Sequence, residues 1–274
     1  HYRSHSFPTR RSSDLPIRLF SQLAQDSNLK VGKLIWVAGH SGPETAEDSR
    51  THFGIFAPGV TQLFPDGHII NLHPWEHNEV APALAAALST DVPIIALHLT
   101  RPPVEIPDRK QLGMSSHLDA SKGAYVIKDF DEKGEKKGVV IVRGTSSTNS
   151  IVNLLDILRK ENINVKIVAA ISWELFKRQS EEYQKTIISD IEWLDSMIVT
   201  NGALRLMHKW IGGKIVEDYS MSPDFDNRWR TGGSVDEIVA ESKIDSLSVL
   251  DGIKKFVNER DKRMAAISSS LPKA

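Results

Sequence analysis

The chain has no cysteine in 274 residues, which excludes disulfides and thiolate chemistry and is compatible with a cytoplasmic protein. It lacks any apolar run long enough to span a bilayer, so no membrane partner is expected. It also lacks an excess of charge of either sign. Thirty-four Lys and Arg stand against 35 Asp and Glu, a net charge of −1, so bulk electrostatics draw it neither to nucleic acid nor to a membrane surface. There is no internal repeat. What is present is the composition of a soluble globular protein, 40% hydrophobic and 25% charged, in a chain long enough for two domains.

Residues 1–15, HYRSHSFPTRRSSDL, stand apart from the rest. They are rich in Arg, Ser and His and poor in acids, as a transit peptide is, but no apolar segment follows Arg10-Arg11 as an export signal would need. The stretch also resembles sequencing-adapter DNA read as protein, and it is expected to be non-native.

From residue 16 onward the pattern alternates. Helical spacing runs from Leu15 to Leu29, and the apolar run Leu34–Ala38, bounded by turn residues, predicts a buried strand. Ile69–Leu72 and Val92–Leu99 predict two more strands. Between them a helix is expected to start at Pro74, with Glu76 and Glu79 in its first turn, and to run on through Val80 to Leu88. Residues 102–118 are rich in Pro and polar residues and read as a linker. Beyond it, Tyr125–Ile127, Val139–Val142, Val165–Ala169 and Ser196–Thr200 predict strands, and Gly144-Thr-Ser-Ser opens a helix over Ile151–Lys160. A charged amphipathic helix over Ile253–Met264 is expected to be peripheral. Strands alternating with helices define the α/β class with parallel sheets.

The densest group of chemical side chains follows the first strand: His40-Ser-Gly-Pro-Glu-Thr-Ala-Glu-Asp48-Ser-Arg-Thr-His52. Polar residues after a strand of an α/β sheet sit where such folds bind ligands. Arg101 closes the third strand in the same way, and a guanidinium suits a phosphate. Two other motifs are decoys. His73-Pro-Trp-Glu-His77 fits a zinc-protease string, but a helix starting at Pro74 leaves His73 outside it. Gly144-Thr145-Ser146-Ser147 could cradle phosphate, and helix capping explains it more simply.

The spacing His40-x7-Asp48-x3-His52 resembles the substrate loop of transketolases, which reads Thr-His-Asp-Ser and then Gly-Glu-Asp-Gly-Pro-Thr-His. The strand ending Leu-Thr-Arg101 resembles that family's Ser-Arg-Gln. Asn71 to Val80 is similar to its Arg-Pro-Ala-Asp-x-x-Glu stretch, Gly123 to Asp129 to its Gly-Gly-Tyr-Val-Leu, and Val-Arg-Gly144-Thr-Ser-Ser to its Ala-Thr-Gly-Ser-Glu. The likeness runs in family order from residue 16 to residue 244. The loop departs from the family at Ser-Gly-Pro-Glu-Thr-Ala and at Ser49-Arg50, which stand in place of Asp-Ser-Ile-Gly-x-Gly and Gly-Pro.

The resemblance implies that His40 and Arg101 bind a substrate phosphate, that Asp48 accepts a sugar C2 hydroxyl, and that His52 lies at the reacting carbonyl as the catalytic residue. It implies transfer of a two-carbon ketol unit between sugar phosphates, with thiamine diphosphate and Mg2+ in the full-length parent. The family's Gly-Asp-Gly motif, its activating glutamate and its pyrimidine-stacking aromatics have no match here. The chain is therefore expected to hold neither cofactor nor metal alone, to be inactive alone, and to work with a homodimer mate or an N-terminal transketolase subunit. The implied organisation is a non-native segment at 1–15, a partial pyrimidine-binding domain at 16–118, a C-terminal domain at 119–245 and a helical tail at 246–274. Other readings are a deoxyxylulose-phosphate synthase, a 2-oxo acid dehydrogenase β-type subunit, or a non-catalytic or split subunit that binds a partner chain.

Overall fold

The computed structural model describes residues 10–27 and 31–270. Helix α1 (Arg10–Asp26) leads into β1 (Leu34–Ala38), β2 (Ile69–Leu72), α2 (His77–Leu88) and β3 (Ile94–His98). These three strands form one parallel sheet in the order β1-β3-β2. A second sheet has the order β4-β6-β5-β7, from β4 (Ala124–Lys128), β5 (Val139–Arg143), β6 (Lys166–Ala170) and β7 (Ser196–Thr200). Its inner pairs are parallel, and β4 joins antiparallel at the edge. The expected α/β class and the position of every expected strand are therefore found.

Helices α3 (Thr145–Val152) and α4 (Leu155–Lys160) link β5 to β6. Short helices α5 (Trp173–Phe176), α6 (Glu181–Ile187) and α7 (Asp190–Leu194) lie between β6 and β7. Then α8 (Lys214–Tyr219), α9 (Val235–Glu241), α10 (Ser246–Asn258) and α11 (Arg260–Ser270) complete the described chain. No described helix is long and apolar enough to cross a membrane.

Strands β2, β3, β5, β6 and β7 are buried along their whole length, as continuous apolar runs covered on both faces require. One apolar core joins both sheets. It runs from Ile70, Leu72 and Trp75 through Tyr125, Val140 and Ile167 to Phe256.

The structure corrects several expectations. β1 is an edge strand rather than a buried one, and one of its faces is uncovered: Ile35 and Val37, two apart on that face, are 45% and 56% exposed. Helix α2 starts at His77, not Pro74. Glu76 caps it by accepting from the Asn78 amide at 2.7 Å, while the His73 amide is held by the Ile171 carbonyl at 2.8 Å. The helix after Gly144 begins at once and breaks after Val152, rather than running from Ile151. The first helix starts at Arg10, while residues 1–9, 28–30 and 271–274 lie outside the described part.

The last helices are not peripheral. Val249, Leu250, Ile253 and Phe256 of α10 enter the main core. In α11, Arg263 is buried over the Phe256 ring and donates to Asp195 Oδ1 from Nε at 2.9 Å and Nη2 at 2.7 Å. Residues 102–118 are also more than a linker. Arg109 donates to Glu76 at 2.9 Å and Glu79 at 2.8 Å, and Tyr125 donates to the same Glu79. This network bolts α2 of the first sheet to β4 of the second.

Candidate functional site

The loop after β1 and the turn after β3 leave the same carboxyl edge of the parallel sheet, because β1 and β3 are parallel neighbours in register from Leu34↔Ile94 to Ala38↔His98. This brings His40, Asp48, His52 and Arg101 together. Arg101 grips Asp48 with both ends of its fork: Nη2 donates to Oδ1 at 2.7 Å and Nη1 to Oδ2. His52 Nδ1 lies 2.8 Å from the same Oδ1. Arg101 Nη2, which can only donate, also lies 3.0 Å from this Nδ1, but the contact to the carboxylate is the shorter and the charge-assisted one, so we assign the proton to Nδ1, which leaves Nε2 as the acceptor of the ring. The His40 ring stands edge-on to that of His52, with centroids 4.6 Å apart. The hydrogen bond from His52, with Arg101 beside it, holds Asp48 below the usual carboxylate range. Asp48, His52 and Arg101 are all partly open to solvent.

The loop holds this geometry through residues that spacing alone did not single out. Thr45 donates to the Gly42 carbonyl at 2.9 Å and to that of His52, while its own carbonyl receives Arg101 Nη2 at 3.1 Å. The Gly54 amide donates to the Gly42 carbonyl at 3.1 Å. A Cβ on Gly54 would lie 1.7 Å from the His40 carbonyl oxygen, so only glycine permits the two arms of the loop to meet.

The second sheet supports the loop from below. Glu44 is buried, accepting from Ser146 at 2.8 Å and from Asn201 at 2.9 Å, and burial raises its pKa. The Gly144 motif is used here. Gly144 precedes α3 with a φ of 95°, and no side chain caps the helix. Ser146 goes to Glu44, and Ser147 donates back to the Arg143 carbonyl at 2.6 Å. Side-chain capping, the expected role, is therefore replaced by a tie between the two units. His73 of the protease-like string is buried and stacks on His98 at 4.5 Å, away from His77 at the start of α2. Among the described residues, no group of three or more His, Asp or Glu side chains could hold a metal ion.

Two α/β units, with a carboxylate, a guanidinium and two imidazoles at the carboxyl edge of the first, define an α/β protein whose exposed edge offers donors and acceptors to a polar ligand. Comparison with known proteins shows what the chain is similar to. Residues 123–219 match the transketolase-like TK C-terminal domain. The chain is 34% identical over 163 residues to transketolase 7 of Craterostigma plantagineum, covering 59% of this chain and 23% of that relative. It shares its fold with transketolase of Leishmania mexicana (TM-score 0.67, 20% identity, 88% of this chain and 32% of that one). It likewise shares the fold of Pichia stipitis transketolase in complex with sedoheptulose-7-phosphate (TM-score 0.64, 23% identity, 82% and 30%). The chain is similar to transketolases and carries their C-terminal domain at residues 123–219, and it spans less than a third of the length of each of these three.

Proposed function

We propose that this chain supplies the sugar-phosphate end of a transketolase-like enzyme, which transfers a two-carbon ketol unit between sugar phosphates. The observation that supports this is the meeting of Arg101, Asp48, His52 and His40 at one sheet edge. In this reading Arg101 and His40 take the phosphate, a bidentate and a charge-assisted contact. Asp48 accepts a substrate hydroxyl, and His52 presents Nε2 near the reacting carbonyl. Arg101 is paired with Asp48, so an incoming phosphate competes with that carboxylate for the guanidinium.

The described residues offer no set of ligands for the family's magnesium beside a diphosphate. The site's carboxylate is committed to Arg101 and His52, and no group of acids or imidazoles is placed to share a metal with a diphosphate. In this proposal the cofactor, the metal and the remaining active-site groups come from other sequence, either on a longer chain or on an N-terminal subunit, within a dimeric enzyme.

The test joins this chain to an upstream transketolase portion and measures ketol transfer from a phosphorylated ketose. Transfer by the joined protein and none by the isolated chain is expected. Transfer by the isolated chain would show that the catalytic apparatus has been misplaced.

A further inference from the structure

Among the described residues, four buried polar atoms without a hydrogen-bond partner in the protein belong to residues that line one small cavity between the two sheets. They are Ser41 Oγ, His98 Nδ1, Thr100 Oγ1 and Arg143 Nη2. Ser41, His98 and Arg143 are each more than nine-tenths buried. The space open to the centre of a water molecule is about 10 Å3, room for a single one.

The hydrogen-bonding capacities fix the chemistry of the occupant. Arg143 can only donate. Thr61 spends its proton on the Pro58 carbonyl at 3.0 Å, so it accepts from His98 Nε2 at 3.1 Å, and Asn71 Oδ1 accepts there too, at 3.2 Å. Nε2 therefore carries the proton, and Nδ1 offers a lone pair to the cavity. Burial pushes His98 down to about 3, so the ring stays neutral. The occupant must accept from Arg143 and donate to His98. A halide cannot donate, and a metal ion cannot accept.

The neighbours of two of these residues give the cavity its meaning. Ser41 follows His40, and Thr100 precedes Arg101. The cavity side of each dipeptide faces the second sheet, through Arg143 at the end of β5.

We propose that the cavity binds one water molecule, accepting from Arg143 and donating to His98, with Ser41 and Thr100 as its other partners, and that this water positions His40 and Arg101. Arg143 is then a positioning residue: it carries the second sheet's hold on the two phosphate contacts. The water site stands on the cavity alone, whereas its effect on substrate rests on the sugar-phosphate reading above.

Two measurements test these parts separately. Crystals of the full chain, one set grown in bromide, should show a single peak about 2.6–3.2 Å from Arg143 Nη2 and His98 Nδ1, with no anomalous signal. An anomalous bromide peak, or an empty cavity, would overturn the water site whatever the substrate is. In the joined enzyme, Thr100→Val removes one partner without touching the core arginine. KM for a phosphorylated donor should rise roughly two- to tenfold with kcat nearly unchanged, the loss of about one hydrogen bond in positioning. Arg143→Met should do the same more strongly, and Arg143→Lys should recover part of the loss. If Thr100→Val leaves KM unmoved, the positioning role is wrong even where the water is seen. If KM for phosphorylated and non-phosphorylated donors rises equally, the water acts on the loop as a whole, and the assignment to His40 and Arg101 is overturned.

Discussion

Arg101 and Asp48, 53 positions apart, meet as a two-pronged ion pair across the carboxyl edge of the first sheet. The pair is open to solvent, so it adds little to stability. Its consequence is competition. Asp48→Ala should free the guanidinium and strengthen binding of inorganic phosphate to the isolated chain, by roughly two- to tenfold as one charge-assisted contact is released. Calorimetric titration measures this. Weaker binding in the variant would mean that Asp48 orients Arg101 rather than competes for it.

Gly54 controls the shape of the loop. Gly54→Ala places a methyl group against the His40 carbonyl and must push the two arms of the loop apart. The melting temperature should fall, and the His40 and His52 ring resonances should shift, as seen by NMR. Unchanged ring resonances would show that the loop absorbs the methyl elsewhere.

Much of this was legible in the sequence. Strands announce themselves when an apolar run is bounded by turn residues, as at Ile94–His98 and Val139–Arg143. The meeting of His40, Asp48, His52 and Arg101 follows from two parallel strands ending side by side. What was hidden depends on distant partners. Nothing local marks Arg109, in a Pro-rich stretch, as a buried cation, because its acids are some 30 residues away. Arg263 meets Asp195 only once the second sheet has formed. The edge position of β1 depends on strand order, which its own residues do not encode. The burial of α10 did have a signal, the helical spacing of Val249, Leu250, Ile253 and Phe256, which its charged residues masked.

The Arg109 network makes stability depend on pH. Burial raises Glu79 to about 7, and donors from Tyr125, Arg109 and Trp75 oppose the rise. The folded state then holds a proton that the unfolded chain releases above its ordinary value of 4.5. The contribution of Glu79 is thus fully present below that value and is lost as pH rises to about 7. Glu79→Gln should flatten urea-unfolding stability over this window. Arg109→Met removes the nearest cation and should cost about 3–5 kcal/mol, more at pH 8 than at pH 5. A loss that is larger at pH 5 would reverse the assigned sign.

The closing helix depends on Arg263. Arg263→Met keeps apolar packing on the Phe256 ring but loses the bond to the Phe256 carbonyl and leaves Asp195 with Arg260 alone, so α11 should open. Amide exchange across Arg260–Ser270 should speed up while the β5 and β6 amides stay protected. Equal acceleration everywhere would mean that α11 is part of the global unit.

The central claim is that Arg101 is the phosphate contact of a transketolase-like site, and one comparison in the joined enzyme tests it most directly. Arg101→Ala should cost on the order of 1.5–3 kcal/mol, roughly a ten- to hundredfold loss in kcat/KM, with a phosphorylated donor. Much of the loss should appear as raised KM, because the contact lies away from the reacting carbon. A non-phosphorylated donor should be almost unaffected. Equal losses with both donors would contradict the account and leave Arg101 as the structural partner of Asp48.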